Sequence, residues 1–240
     1  MATDPFGRAL LDHYHERREE PLRQRDGETV LEHPIEQFYF GEYSGDSPLG
    51  ELLEATLSGP LLDMGAGAGR HALYFQSQFE TVAIEVSESL VSLMESRGVD
   101  DARQADMFAL TDHFERNRFE SALAYGTQIG LARSMDGLTA FLNDLSHVIR
   151  PTGTAVLDCY DPTITATTEL LGYRSDETPG LGFRVMTFEY EGTVGQTLLF
   201  RLFSPERLRE ATDGTPWTVS EIRESPCDDT GHYLAVLERE

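Results

Sequence analysis

Between residues 61 and 160 short apolar runs alternate with amphipathic stretches. Leu61 to Met64, Thr81 to Glu85, Ala102 to Ala105, Phe119 to Tyr125 and Thr154 to Tyr160 read as strands. The intervening Arg70 to Phe79 and Ser87 to Ser96 read as helices, the latter with Ser87 as N-cap. A longer helix starts at Ser134, where Leu138, Phe141, Leu142, Leu145, Val148 and Ile149 hold one apolar stripe up to the Pro151-Thr152-Gly153 turn. Strand–helix alternation at this spacing predicts an α/β, doubly wound, mostly parallel sheet.

The two flanks read differently. Phe6, Ala9, Leu10 and Tyr14 place an amphipathic helix over residues 5–19, ended by Pro21, and a second helix is expected over 48–57, so residues 1–58 read as an N-terminal helical cap. After Asp161-Pro162 the alternation stops. Residues 183–190 and 197–203 read as an inserted antiparallel hairpin turning near Gly192 and Gly195, and a helix follows over 205–212. Trp217 to Ile222 and His232 to Leu237, joined across Pro226 to Gly231, close the sheet as a hairpin. The expected fold is a seven-stranded Rossmann-like domain over residues 59–240, with the hairpin at about 183–203 inserted in it.

Composition narrows the classes. The 240 residues are 40% hydrophobic and 10% aromatic, which supports a packed core, and no apolar run reaches the roughly 18–20 residues needed to span a bilayer. Met1 to Leu11 has neither a cationic nor an apolar leader region, and only Cys159 and Cys227 occur, so a cytoplasmic protein is expected. The formal charge is −23, and all 19 basic residues are arginine. The acids spread along the whole chain, as in haloarchaeal proteins, where strong salt shortens the Debye length to about 3 Å at 1 M. Under a halophilic reading the acidity reports the solvent and not the ligand.

The sharpest chemical signal is Asp63-Met64-Gly65-Ala66-Gly67-Ala68-Gly69-Arg70, a strand feeding a glycine-rich turn that opens a helix. Glycine there permits a tight turn and close approach of a ligand to the backbone. Glu85, eighteen residues after Gly67, ends the next strand where it can accept from two ribose hydroxyls. A dinucleotide site prefers Gly-x-Gly-x-x-Gly near a chain start. Here Arg70 takes the third-glycine place and about 60 residues precede the turn, which argues against a nicotinamide oxidoreductase.

Residues 59–160 resemble the core of the class I S-adenosylmethionine-dependent methyltransferases. The resemblance rests on Asp63 to Gly69, on Ala83-Ile84-Glu85-Val86-Ser87, on Ala105-Asp106-Met107, on Ala124-Tyr125-Gly126 and on Val148 to Thr154, where Thr152 replaces a glycine of the family's turn. It implies S-adenosyl-L-methionine as cofactor. Gly65, Ala66 and Gly67 would line its methionine portion, Asp63 would meet the amino end, and Glu85 would hold the ribose. Val86 would pack on adenine, Asp106 would accept from the adenine amino group, Met107 would offer a backbone N–H, and Tyr125 with Gly126 would flank the sulfonium.

The acceptor side is read from the variable parts: Tyr39, Phe40 and Tyr43 in the cap, Tyr160 and Asp161 after the fifth strand, and Arg184 or Tyr190 on the inserted hairpin. Asp161 and Tyr160 are the candidates for catalytic work, although Asp161 at a turn also suits a capping role. His13, His15 and His33 are too loosely placed for a metal site, and none is expected. Tyr125-Gly126-Thr127-Gln128 stands where adenine N-methylation would need Asn-Pro-Pro-Tyr, and the arginines form no basic track, so a nucleic-acid acceptor is disfavoured. The reading is methyl transfer to a small molecule by a monomer or homodimer, the alternatives being an RNA or protein methyltransferase or a non-catalytic cofactor-binding protein.

Overall fold

The computed structural model describes residues 4–224 and 230–240; Cys227 and the Pro226 end of the closing loop lie outside them. In chain order the elements begin with α1 (Pro5–Tyr14), β1 (Arg23–Asp26), β2 (Thr29–Glu32) and α2 (Pro48–Thr56). The alternating core follows as β3 (Leu61–Met64), α3 (Arg70–Phe75), β4 (Thr81–Glu85), α4 (Glu88–Arg97), β5 (Ala102–Gln104), the single-turn α5 (Leu110–His113), β6 (Phe119–Ala124), α6 (Met135–Val148) and β7 (Ile149–Tyr160). The chain ends through β8 (Tyr173–Ser175), β9 (Leu181–Tyr190), β10 (Thr193–Val194), β11 (Leu198–Phe203), α7 (Pro205–Thr212), β12 (Trp217–Glu224) and β13 (His232–Arg239).

The main sheet has the order β12-β13-β7-β6-β3-β4-β5. Its β7-β6-β3-β4-β5 part is parallel, and β13 and β12 add antiparallel, giving a seven-stranded mixed sheet. The strands read as continuous apolar runs because helices cover both faces; Leu61, Leu62 and Met64 on β3 are fully buried. Trp217 fixes the reversed hairpin on α6 by donating Nε1–H to the Leu142 carbonyl at 2.8 Å.

A second, wholly antiparallel sheet is organised by β9. Its first half pairs with β8 and β11, and its second half with β1 and β10, while β2 pairs with β1. The segment expected to be a helical cap therefore contains a β-hairpin. Gly27 takes a φ of +57° in the two-residue turn between the paired Asp26 and Thr29, the backbone that such hairpins require. The strands went unread because Arg23-Gln24-Arg25-Asp26 has no apolar alternation; its partner strand supplies the order.

Two helix ends also differ from expectation. α1 stops at Tyr14 and not at residue 19, since residues 15–20 offer no apolar side chain to bury and Glu16 turns left-handed at φ +57°. α3 stops at Phe75, four residues early, and the chain continues through turns such as Phe79 N–H to the Phe75 carbonyl at 3.0 Å. A small core of Ala9, Leu10, Leu22, Leu90, Leu93 and Phe188 joins α1, α4 and β9. It seats the second sheet above the carboxyl ends of β3 and β4, where open α/β sheets bind ligands.

Candidate functional site

After β3 the chain turns through Gly65, Gly67 and Gly69, all at positive φ (+62°, +59° and +76°). A Cβ on Gly69 would collide with Val99 at 2.7 Å, so that glycine serves packing. A Cβ on Gly67 would meet only the Tyr39 ring, at 3.6 Å; its outer face is open to a ligand. The Ala66 amide donates to the Ile84 carbonyl at 3.1 Å and ties the turn to β4.

Glu85 ends β4 beneath this turn. Its Oε2 accepts from Gly67 N–H at 3.2 Å and its Oε1 from Val86 N–H at 3.0 Å, and burial pushes its pKa up. Beside it the Val86 side chain is 59% exposed, an apolar surface facing the cavity. Asp63 is buried on β3, and its Oδ2 has no hydrogen-bond partner among the described residues. Desolvation first, and the nearby Glu85 charge after it, raise its pKa to about 7, while the Ala72 amide works against them. A buried carboxylate oxygen without a donor, next to an open glycine turn, is a site for a cationic or N–H donor from a ligand.

His71, on α3, lines the same cavity. Its ring is edge-on to Tyr43 (5.4 Å between centroids) and Tyr125 (5.2 Å), its Nε2 is buried without a partner, and burial lowers its pKa to about 3. At the end of β6 the chain bends through Gly126 (φ +98°) and Thr127 (φ +61°). The buried Asp158 of β7 accepts from both amides, at 3.0 and 2.7 Å, and from His232 Nε2 at 2.7 Å. The His232 ring in turn meets Tyr160 (5.1 Å) and Tyr125 (6.0 Å) edge-on.

The roof comes from the other sheet and the N-terminal segment. Phe6 packs on Tyr39 (5.4 Å) and Phe188 (4.7 Å). A polar row crosses this apolar surface: Arg184 Nη2 donates to Gln24 Oε1 (2.8 Å), Gln24 Nε2 meets His33 Nδ1 (2.8 Å), and His33 Nε2 meets the Tyr39 hydroxyl (2.9 Å). Asp4 caps α1 through Gly7 N–H at 2.8 Å and also accepts from Ser87, the N-cap of α4, so roof and floor are tied at the Glu85 end. Between them lies a cavity of about 1080 Å³, slightly above the roughly 300–1,000 Å³ typical of small-ligand pockets.

Asp63, Gly65, Ala66, Gly67, Glu85, Val86, Tyr125 and Gly126 all line this cavity, as do Tyr39, Tyr160 and Arg184. The side chains of the other expected residues do not line it. Asp106 is exposed and caps the turn at 107–109 through Phe108 N–H (2.9 Å), and the Met107 side chain is core. Phe40 lies under the Arg97 guanidinium (4.9 Å), Tyr43 packs on Tyr74 (4.4 Å), and Tyr190 is buried against α1, its hydroxyl 3.4 Å from Asp12. Asp161 closes its own turn through Thr163 N–H (2.8 Å) and Oγ1 (2.7 Å), away from the cavity. These four are turned outward or into the core by local packing, so the acceptor side is narrower than expected.

Sequence reading missed Gln24, His33, His71, Asp158 and His232. Asp158 carried a signal, an acid inside the apolar run Ala155 to Cys159, whereas Gln24 and His33 reach the site only through long-range strand pairing. Among the described residues no group of three His, Cys, Asp or Glu side chains is gathered as a metal site, and no helix is long and apolar enough to cross a membrane.

A family model described as a methyltransferase domain matches residues 62–157. No curated protein matches the chain. Among solved structures, an S-adenosylmethionine-dependent methyltransferase from Bacteroides fragilis in complex with S-adenosyl-L-homocysteine is similar at 26% identity and a TM-score of 0.78, over 98% of this chain and 94% of that one. CalS10 of Micromonospora echinaspora, an amino pentose methyltransferase, is similar in fold at 17% identity and a TM-score of 0.62, over 90% of this chain and 100% of that one.

Proposed function

The chain belongs to the class I S-adenosylmethionine-dependent methyltransferases, and we propose that it transfers the methyl group to a small molecule enclosed beneath the second sheet. The observation that carries this is the cavity itself, which continues from the glycine turn under a partial roof of Phe6, Tyr39, Met186, Phe188 and Phe200. The arginines support the same reading. Most are paired with carboxylates on the surface, and only Arg8, Arg70 and Arg184 line the cavity, too few for a phosphate-tracking rim.

The residues present fit the cofactor. The unpartnered Asp63 Oδ2 suits an ammonium group, the open face of Gly67 admits a ligand against the backbone, Glu85 is placed for the ribose hydroxyls, and Val86 offers its exposed side chain to adenine. When bound, S-adenosylmethionine supplies a methyl carbon activated by its sulfonium, so the protein has to align the acceptor and exclude water. Tyr125 and the Gly126-Thr127 bend, held by Asp158, form one wall for that alignment, and Tyr39 and Tyr160 also line the cavity.

The test is a calorimetric titration with S-adenosylhomocysteine and with NAD, followed by transfer of labelled methyl from S-adenosylmethionine into a cell extract split by mass. Binding of the homocysteine adduct alone, with label in the low-mass fraction, is expected. Label in the RNA or protein fraction would replace the small-molecule reading, and binding without any transfer would favour a non-catalytic cofactor-binding protein.

A further inference from the structure

Arg184 sits half-buried in the roof of the cavity on β9, and it has no carboxylate partner among the described residues. On this sheet that is conspicuous, because its other arginines are all paired: Arg23 with Glu20 (3.6 Å), Arg25 with Glu189 (2.7 Å), Arg174 with Asp26 (2.8 Å) and Arg201 with Asp176 (2.8 Å). The ionisable groups acting on Arg184 are the phenols of Tyr160 and Tyr39, and desolvation pulls its pKa down. A charge taken out of water without a counter-ion is costly unless a ligand provides one.

Its geometry is also preset. Of the five N–H donors of a guanidinium, Nε–H goes to the Leu171 carbonyl (3.0 Å) and one of Nη2 to Gln24 Oε1 (2.8 Å). Those bonds orient the fork and leave three N–H donors, both of Nη1 and one of Nη2, for a carboxylate.

The polar row adds a second donor by elimination. Arg184 can only donate, so Gln24 must turn Oε1 toward it and Nε2 toward His33. His33 Nδ1 then accepts, the neutral ring carries its proton on Nε2, and that proton goes to the Tyr39 oxygen at 2.9 Å. Burial first, and the Arg184 charge after it, hold His33 neutral, with a pKa lowered to about 4. The Tyr39 O–H is consequently free to donate into the cavity.

Resting on the methyl-transfer reading above, the geometry points to a carboxylate-bearing acceptor: its carboxylate is bound by Arg184 Nη1 and Nη2 with the Tyr39 hydroxyl as a further donor, and its apolar body lies on Met186, Phe188 and Phe200. Arg184 is thereby a specificity-determining residue for organic acids over their neutral counterparts.

The experiment titrates protein saturated with S-adenosylhomocysteine with benzoate, phenylacetate and hexanoate, and with the three matching primary amides. The acids are expected to bind and the amides to bind at least about 10-fold more weakly, and Arg184→Gln is expected to weaken the acids by roughly 10- to 100-fold, the size of charge-assisted hydrogen bonds to one group. Tyr39→Phe, which keeps the ring on Gly67, is expected to weaken the acids several-fold. Should Arg184→Gln fail to fold, the acid-to-amide preference and Tyr39→Phe decide the matter. Equal binding of acids and amides, no binding of any acid, or undiminished acid binding by both variants would overturn the inference. So would a variant Arg184→Gln that loses S-adenosylhomocysteine but keeps methylthioadenosine, because Arg184 would then serve the cofactor's carboxylate. A wild-type protein that fails to bind S-adenosylhomocysteine at all would instead remove the methyl-transfer reading.

Discussion

His232 Nε2 donates to Asp158 Oδ2 at 2.7 Å, and the same buried carboxylate accepts the amides of Gly126 and Thr127. One side chain of β7 thus sets the left-handed bend after β6, while β13 holds that side chain in place. Asp158→Asn exchanges an acceptor oxygen for a donor, so one of the three donors is left buried and unpaired. The expected cost is about 1–3 kcal/mol of stability, with weaker S-adenosylhomocysteine binding as the bend loosens. Thermal melts and calorimetry check it; a variant with wild-type values in both would separate Asp158 from the site.

Glu85 accepts Gly67 and Val86 amides while facing the cavity, so it serves both the loop and the ligand. Glu85→Ala is expected to weaken S-adenosylhomocysteine by about 1.5–3 kcal/mol, the range for hydrogen bonds to a charged group. Adenine, which has no ribose, should bind the variant and the wild type alike. Equal losses for both ligands would mean that the substitution collapses the glycine turn and says nothing of the ribose.

The Asp63 carboxyl, with its pKa raised to about 7, makes cofactor binding depend on pH. In the folded protein it is protonated well above the usual carboxylate range, so its contribution to stability is fully present below about pH 4 and is lost as pH rises through about 7. A ligand ammonium needs the ionised form. Affinity for S-adenosylhomocysteine should therefore climb from pH 5.5 to about 7 and then flatten, with proton release on binding at the acid end. Titrations in buffers of different ionisation enthalpy count those protons, and Asp63→Asn should flatten the profile.

How much of this was readable from the chain follows from where each contact is encoded. The cofactor floor was legible because it is local: Leu61 to Met64, the glycine turn and Glu85 lie within 25 residues, and backbone conformation alone demands the glycines. The roof was not. Gln24 meets Arg184 across 160 residues, on a strand of four polar residues that is ordered by its partners β2 and β9. Aromatic character misled in the same region, since Phe40 and Tyr43 look like Tyr39 in sequence and only packing against Arg97 and Tyr74 separates them. Asp161 was singled out because it follows the strand, whereas Asp158, inside the strand, is the acid held at the site by His232 and by the Gly126 and Thr127 amides.

His33 and His71 give the acid limb of stability. Burial lowers both pKa values below 6.5, to about 4 and about 3, so each favours the folded state above the unfolded pKa and loses that contribution as pH falls from about 6.5 toward the folded values. Below about pH 6 the two histidines and Asp63 act in opposite senses. His71→Phe keeps the edge-on contacts with Tyr43 and Tyr125 and removes the unpartnered Nε2. It is expected to make the loss of stability between pH 6.5 and 4 shallower in denaturant titrations. An unchanged slope would show that His71 is not buried neutral.

Salt should stabilise this protein even though it weakens its ion pairs. Pairs such as Arg103–Asp101 and Arg223–Glu221 are largely solvent-exposed, where a pair contributes on the order of 0–1 kcal/mol and is screened by salt. Against them stands an excess of 23 negative charges with no basic partner, whose mutual repulsion is relieved once the Debye length falls to about 3 Å near 1 M. The repulsion involves the whole surface and the pairs only a few sites, so screening acts on the larger effect. The unfolding midpoint is expected to rise steadily from dilute buffer to molar KCl. Replacing the exposed acids Glu95 and Glu169, which form no ion pair among the described residues, by glutamine should raise the low-salt midpoint and reduce the gain from KCl. Equal midpoints at both salt extremes would mean that the acidic surface is neutral to folding, and the halophilic reading of the composition would fall with it.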